Sequence, residues 1–304
     1  MIDFIGDIHG HADELEALLQ KMGYEKQNGI YKHQERKALF LGDYIDRGPK
    51  IRETLEIVKA MVDEGHATAL MGNHEYNALC FHFEGKKGGH LRKHLIKNIV
   101  QHYETLQQFH GSQREYEYYL DWFKTLPLYI ETVEFKAVHA CWDSKHIGLL
   151  KNTLNEGRLT DDLIYQSVEE RGSDLYNAVD QTLKGKELTM PNGMHFFDKE
   201  KNKRTEIRIK WWEDPTKMTY KAISVENLEM LPETPIHLGE LTSLDFYQGN
   251  DNLVFFGHYW LKGQPEFYRH NICCLDYSVA KGGKLVAYRF KGESQLDTNN
   301  LVYV

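Results

Sequence analysis

The chain predicts an α/β fold with a ligand site at the edge of a sheet, and two features of its 304 residues carry that prediction. Residues 1–75 alternate short apolar runs with amphipathic helical stretches, the pattern of a doubly wound unit. Five apolar runs each end in a polar cluster of metal-ligand chemistry: Gly6-Asp7-Ile8-His9-Gly10, Gly42-Asp43-Tyr44-Ile45-Asp46-Arg47-Gly48, Gly72-Asn73-His74-Glu75, His139-Ala140 and Gly257-His258. A strand that ends in Asp, Asn or His delivers that side chain to the carboxyl edge of its sheet, where open α/β sheets bind their ligands.

The runs before those clusters are 2–5, 38–41, 67–71, 135–138 and 253–256, each short, apolar and bounded by glycine or charge, as buried strands are. Residues 11–22 predict a helix, with Leu15, Leu18 and Leu19 on one stripe and Asp13 and Glu14 in the first turn. Residues 51–62 repeat that design with Leu55, Val58 and Met61 to one side, and Pro49 suits the helix start. After Glu75 the pattern changes. Residues 91–108 place Leu91, Leu95, Ile99 and Tyr103 at helical spacing, with Arg92, Lys93 and Lys97 off that stripe, and 116–126 predicts a further helix. In 145–250, residues 159–183 read as helical and 190–212 as irregular strands around the charged turn Asp198-Lys199-Glu200-Lys201-Asn202-Lys203-Arg204. The tail returns to strands at 271–277 and, after Gly282-Gly283, at 284–290. The expectation is one domain over 1–304 with a helical insertion at 76–126 and a mixed one at 145–250; no internal repeat or low-complexity tract interrupts it.

Composition excludes several classes. Hydrophobic residues at 41% and charged residues at 27% are ordinary for a soluble globular chain, and 18 Tyr with 14 Phe imply a well-filled core. A net charge of -8 argues against a surface built wholly for nucleic acid, so a nucleic-acid partner is not indicated by charge. The four cysteines, Cys80, Cys141, Cys273 and Cys274, contain no CxxC pair, and Cys273 and Cys274 would face opposite sides of a strand. A zinc ribbon or disulfide scaffold is therefore not expected, and reduced thiols in a cytoplasmic protein are. The sequence enters a strand at once, with no basic region or long apolar stretch, so neither a signal peptide nor a membrane span is expected.

A two-metal hydrolase holds its cations about 3.5–4 Å apart and needs a bridging carboxylate. Asp7 and His9, two residues apart at a strand end, reach one ion. Asp43 ends the neighbouring strand and is the natural bridge. Asn73, His139 and His258 complete the second ion. This mixture of nitrogen and oxygen ligands, with no cysteine, suits two divalent ions: manganese first, with iron, zinc, nickel or magnesium as alternatives. His74 stands beside a ligand at the mouth and is placed to protonate a leaving group, with Asp46 orienting it. Arg47 offers a planar fork matched to phosphate oxygens. Each cluster alone is a common loop motif; the set, in this order and each after an apolar run, is not.

Taken together, GDIHG, GDYIDRG, GNHE, His139 and Gly257-His258 resemble the calcineurin-like metallophosphoesterases of the phosphoprotein-phosphatase type. Leu275-Asp276-Tyr277-Ser278 followed by Gly282-Gly283-Lys284-Leu285 is similar to the ending of bacterial members. The resemblance implies a four-layer αββα sandwich with the site between two sheets. It implies that Asp7, His9 and Asp43 hold one metal and Asp43, Asn73, His139 and His258 the other. His74 becomes the acid, Asp46 its partner, Arg47 the phosphate clamp, and Asp276 an acidic residue supporting the ligands from behind. The expected activity is hydrolysis of phosphate monoesters, on phosphoprotein or a small phosphorylated substrate, by a metal-bridging hydroxide. The alternatives are a dinucleoside polyphosphate hydrolase, a nucleic-acid-end phosphatase and, from another class, a non-catalytic metal-binding scaffold.

Departures from the family pattern bear on the substrate. Cys141 follows His139-Ala140 and reads as a packed core thiol. Tyr259-Trp260 follows His258 and is expected to wall the substrate mouth. Trp211-Trp212 reads as an aromatic cluster packing the 145–250 insertion. Arg204 and Arg208 read as surface ion pairs, with a second phosphate contact as the alternative. Lys86, Lys87, Arg92, Lys93 and Lys97 read as a solvated helix face that would attract anions.

Overall fold

Two sheets lie face to face, and the five ligand-bearing strands divide between them. The computed structural model describes residues 1–86, 88–197, 203–241 and 243–304. Strands β1 (Ile2–Ile5), β2 (Lys37–Phe40) and β3 (Ala67–Ala69) pair in parallel in the first sheet. Strands β4 (Phe135–Val138), β5 (Leu253–Phe256) and β6 (Ile272–Cys274) pair in parallel in the second, with β5 central. Strand β7 (Lys284–Phe290) runs antiparallel to β1, and Asp276–Tyr277 and Leu301–Tyr303 add to it. Register aligns the strand ends. Ile5 pairs with Phe40, so the Asp7 and Asp43 loops leave side by side; Phe255 pairs with Ala137, so Gly257 meets His139.

Alternation along each strand makes the layers. Phe4, Leu39, Ala137 and Phe255 point between the sheets, where Phe4 stacks on Phe255 at a centroid distance of 3.7 Å. Ile5 and Phe40 point outward onto helices α1 (Ala12–Lys21) and α2 (Ile51–Asp63), through Leu15, Leu18, Leu55 and Val58. Behind the second sheet, Val138, Phe256 and Cys274 pack with Trp211, Trp212 and Leu183, and Trp211 meets Phe256 edge-on at 5.1 Å. The result is helix on sheet on sheet on helix, the four-layer sandwich. Cys273 faces the inner core and Cys274 the outer one, on opposite sides of β6.

Four elements differ from the sequence reading. The 159–183 helix is two, Asp161–Glu169 and Asp174–Lys184, because Gly172 turns at φ 82° and Ser173 caps the second by accepting the Tyr176 N–H at 3.1 Å. The 271–277 strand breaks at Leu275, and the chain passes there from the second sheet to the first. Helix α3 (Asn73–His82) begins directly at the third cluster and is followed, after a loop, by α4 (Ile96–Gln108) and α5 (Gln113–Lys124). The basic residues Lys86, Arg92 and Lys93 therefore lie in a loop rather than on a helix face, and Arg92 is committed to Asn77 and Gln101 at 2.6 and 2.7 Å. Finally, α4 does not bury its apolar stripe: Leu95, Ile99 and Tyr103 are exposed, with Ile96 at 82%, while His102 and Thr105 are buried. Lys87 and the turn 198–202 lie outside the described residues. Residues 187–236 carry a small core of their own, including Leu188, Ile207 and Tyr220. Among the described residues no helix is long and apolar enough to cross a membrane.

Candidate metal centre

The loops that leave β1 to β5 are tied to one another by backbone before any side chain acts. The Ile8 and His9 N–H groups both donate to the Asp43 carbonyl, at 3.1 and 2.8 Å, and the Gly257 N–H donates to the His139 carbonyl at 2.8 Å. Two glycines permit this closeness. A Cβ on Gly72 would stand 2.3 Å from the Asp43 nitrogen, and one on Gly257 would stand 1.9 Å from Asp7 Oδ1. Backbone strain gathers here too. Of the ten non-glycine residues with positive φ among the described residues, six belong to these loops: His9, Asp43, Asp46, Arg47, His258 and Trp260. Such conformations persist only where the surroundings enforce them, and they concentrate at functional sites.

Hydrogen bonds set the histidine tautomers. His9 Nδ1 donates to the Ile45 carbonyl at 2.9 Å and His139 Nδ1 to the Leu41 carbonyl at 2.8 Å. A carbonyl only accepts, so each Nδ1 carries the proton and each Nε2 presents a lone pair, the form that ligates metal. His9 Nε2 stands 3.6 Å from Asp43 Oδ2, and His139 Nε2 stands 3.4 Å from Asp43 Oδ1 and 3.0 Å from Asn73 Oδ1. His258 Nδ1 meets the same Asn73 Oδ1 at 2.8 Å, and its backbone N–H donates to Asp7 Oδ2 at 3.0 Å. His139 Nε2 thus meets Asn73 Oδ1 and Asp43 Oδ1 acceptor to acceptor, a contact that a proton or a cation relieves, whereas the neutral His258 tautomer with Nδ1–H donates to Asn73 Oδ1. Asp7 Oδ1, His9 Nε2 and His258 Nε2 are buried with no hydrogen-bond partner. Each such orphan costs about 1–3 kcal/mol if nothing binds it. Two groups bring one ligand atom per residue within 4.8 Å of one another: His9, Asp43 and His74, and Asp43, His139 and His258. Asp43 belongs to both. The donor set fits two divalent cations bridged by that carboxylate.

Electrostatics say how the groups respond without a cation. Burial pushes Asp7 well above the usual carboxylate range, and Asp276 and Asp43 push it further. Burial would raise Asp43 as well, but His139 and His74 more than reverse it and hold it low. His139 is raised: burial opposes its charge, and the Asp43 carboxylate overcomes that opposition. Burial lowers His9 to about 3, helped by His74, and lowers His258, helped by the Arg208 guanidinium.

His74 is arranged differently. Its Nδ1 donates to Asp46 Oδ2 at 2.5 Å, which leaves Nε2 facing the site, 3.9 Å from Asp43 Oδ2. Burial disfavours the imidazolium, but Asp43 and Asp46 win and raise its proton affinity. Asp46 is anchored from behind by residues the sequence reading did not select. His102 Nδ1 donates to Asp46 Oδ1 at 2.7 Å and Thr105 Oγ1 donates to the same oxygen at 2.6 Å, while His102 Nε2 meets the Tyr116 hydroxyl at 2.7 Å. Their one sequence signal is the i, i+3 spacing of His102 and Thr105 on the polar side of α4. Glu75 is the other omission: its two carboxylate oxygens accept the N–H groups of Gly72, Asp43 and Tyr44 at 2.8–3.0 Å, fixing the strand-end loops to the start of α3. Burial and the Asp43 charge push Glu75 up to about 7.

The remaining selected residues fall into place. Asp276 accepts the Trp260 N–H at 2.7 Å and the Ser278 N–H at 2.9 Å, so it braces the loops beside the ligands. Cys141 is fully buried in the outer core. Tyr259 and Trp260 part company. Tyr259 is buried against Phe256 and Trp212 under Gly185, its ring 5.6 Å from that of His258, and so does not wall the mouth; the half-buried Trp260 borders the site, 5.6 Å from the His9 ring. The Arg47 guanidinium lies over the Trp260 ring at 4.5 Å. Arg208, half-buried on Glu206–Arg208, is close enough to His258 to lower it, whereas Arg204 is exposed.

The family model for calcineurin-like phosphoesterases matches residues 1–259. The chain is 34% identical to a bis(5'-nucleosyl)-tetraphosphatase (asymmetrical) of Oceanobacillus iheyensis over 51% of this chain and 59% of that one. It is 33% identical to a protein of the same name from Bacillus subtilis over 48% of this chain and 59% of that one. The matches thus span about three-fifths of those relatives' length. A protein serine/threonine phosphatase of Saccharomyces cerevisiae aligns with all of this chain and 78% of its own, at a TM-score of 0.49 and 15% identity.

Proposed function

The chain belongs to the calcineurin-like phosphoesterase family, and on that premise we propose that it hydrolyses phosphate esters at a dinuclear metal centre. The observation that carries the reading is Asp43, shared by two groups of buried ligand atoms beside which Asp7 Oδ1, His9 Nε2 and His258 Nε2 have no hydrogen-bond partner. Asp7, His9 and Asp43 would hold one ion; Asp43, Asn73, His139 and His258 would hold the other. Two divalent ions there, manganese being the first choice, would supply Lewis acidity and bring the pKa of a bound water down to about 7. Arg47 engages the phosphate oxygens with its planar fork. His74, whose proton affinity Asp43 and Asp46 raise against burial in the metal-free protein, would give the Nε2 proton to the leaving oxygen while Asp46 holds the ring. A full set of ligands, acid and arginine weighs against a non-catalytic scaffold. Four buried free cysteines support a cytoplasmic setting.

The substrate has two readings. A monoester, on protein or small molecule, needs only the residues above. A dinucleoside polyphosphate is favoured by the names of the two bacterial relatives. Incubation with diadenosine tetraphosphate and chromatography of the products separates them. ATP with AMP means asymmetrical cleavage and ADP alone means symmetrical cleavage. Intact diadenosine tetraphosphate beside rapid hydrolysis of p-nitrophenyl phosphate selects the monoester.

A further inference from the structure

Helix α4 is built inside out. The side it turns to the molecule is polar: His102 and Thr105 hold Asp46, and Gln108 accepts the Ile51 N–H at 2.6 Å and donates to the Gly48 carbonyl at 3.0 Å. The side it turns to solvent is apolar, with Leu95, just ahead of the first turn, and Ile96, Ile99, Val100 and Tyr103 all exposed. Ile96 at 82% and Val100 at 67% are the most open. A helix ordinarily turns its apolar stripe to the core. Exposed apolar residues scattered singly mean little. These five, at i, i+1, i+4, i+5 and i+8, form one continuous face, and such faces mark places where something docks. No step of the metal chemistry uses this one.

The charges beside the face say what covers it. Val100 lies near its middle, and Lys97 and Glu104 stand at i-3 and i+4 from Val100, on the same flank. They are about 10 Å apart along the axis, beyond the i, i+3 or i, i+4 reach of pairing within one helix. Antiparallel apposition on an identical helix changes that. With a two-fold axis at Val100, the Ile96 end of one stripe meets the Tyr103 end of the other. Lys97 of one protomer then comes nearly level with Glu104 of the other, twice over. The pattern is complementary to itself. A partner carrying one sign of charge would satisfy one of the two residues and oppose the other, and a net charge of -8 repels an anionic bilayer. The face is about 12 Å long. A pair of such helices buries on the order of 1,000 Å², the lower end of specific interfaces, so the association is weak and depends on concentration.

We propose that the exposed face of α4 is where a second copy of this chain docks, helix against antiparallel helix about a two-fold axis at Val100, with Lys97 of each protomer paired to Glu104 of the other. The inference is independent of the phosphoesterase reading. The interface lies on the helix that anchors Asp46, on the opposite side from that carboxylate.

The test is sedimentation velocity on the full chain over about 1–200 μM, where weak interfaces of this size associate. The wild type moves from monomer to dimer as concentration rises. Val100→Asp, which sets two carboxylates against each other on the axis, stays monomeric. Val133→Asp adds the same charge to a residue 92% exposed in the turn before β4, and it dimerises like the wild type. Lys97→Glu and Glu104→Lys each weaken the dimer roughly tenfold, because each turns two attractions into two repulsions, and the double variant carrying both substitutions recovers it. A wild type that stays monomeric throughout overturns the proposal; binding of that monomer, and not of Val100→Asp, to vesicles of phosphatidylserine and phosphatidylcholine would assign the face to a membrane instead. A dimer that survives Val100→Asp, a loss shared by Val133→Asp, or a double variant no tighter than the single ones overturns it as well.

Discussion

Asp46 decides what His74 can do. Its carboxylate is shared between two imidazoles and a threonine, and burial alone would raise it had His102 and His74 not pulled it down. It therefore stays ionised and keeps the His74 ring turned with Nε2 to the site. His74→Ala should cost about 10²–10⁴-fold on an alkyl phosphate and far less on p-nitrophenyl phosphate, whose leaving group needs little protonation. Equal losses on both esters would count against the acid role. His102→Ala removes one charge-assisted hydrogen bond, about 1.5–3 kcal/mol, and should lower the alkyl-ester rate at least roughly tenfold while sparing the aryl ester. His74 was readable because it abuts the ligand Asn73 in one motif. His102 was not: it lies 56 residues from Asp46, and only the folding of α4 over the second loop brings them together.

At the scale of elements, the strand ends were legible and the connections were not. An apolar run closed by glycine and a ligand fixes a strand, its end and the edge it serves. Helices obey tertiary context instead. The stripe on α4 that reads as a buried face is turned to solvent, because burying His102 and Thr105 on Asp46 satisfies a carboxylate that would otherwise be stranded. The break of 159–183 at Gly172 hangs on one backbone conformation that helical periodicity hides. Gly257 tests whether the strand ends place the ligands. A methyl there would occupy the position of Asp7 Oδ1, 1.9 Å away, and expel that carboxylate. Gly257→Ala should weaken manganese binding about 10–100-fold with the circular dichroism spectrum preserved. Wild-type affinity in that variant would remove Asp7 from the ligand set.

For the whole molecule, the centre is a store of unfavourable burial that a cation relieves. Asp7 and His139 are both raised, so each keeps its proton to a higher pH than it does in the unfolded chain. For Asp7 the sign is clear. A carboxylate raised on folding stabilises the folded state as pH falls through its folded value and loses that contribution above it. Metal must displace the Asp7 and His139 protons, so affinity climbs with pH. Manganese at a hundred times its dissociation constant adds about 2.7 kcal/mol. In a chain of 304 residues that is a rise of roughly 4 °C in Tm. Differential scanning calorimetry should find the rise larger in neutral or mildly alkaline buffer than in acid; a rise that grows toward acid would contradict the proton competition. The sandwich and the family were legible because both reside in the strand-end clusters. The lip of the site was legible in part: Arg47 and Trp260 were expected there, whereas Lys281, which lies over the Trp260 ring, comes from a separate loop that no motif marks. Everything turns on Asp43 joining two metals. The most direct test is the initial rate of p-nitrophenyl phosphate hydrolysis by metal-stripped protein as manganese is titrated in. The wild type should rise from background to full activity, and Asp43→Asn should remain at least roughly a thousandfold lower at every concentration. An undiminished rate in Asp43→Asn, or full activity in the stripped protein, would contradict a centre built on that carboxylate.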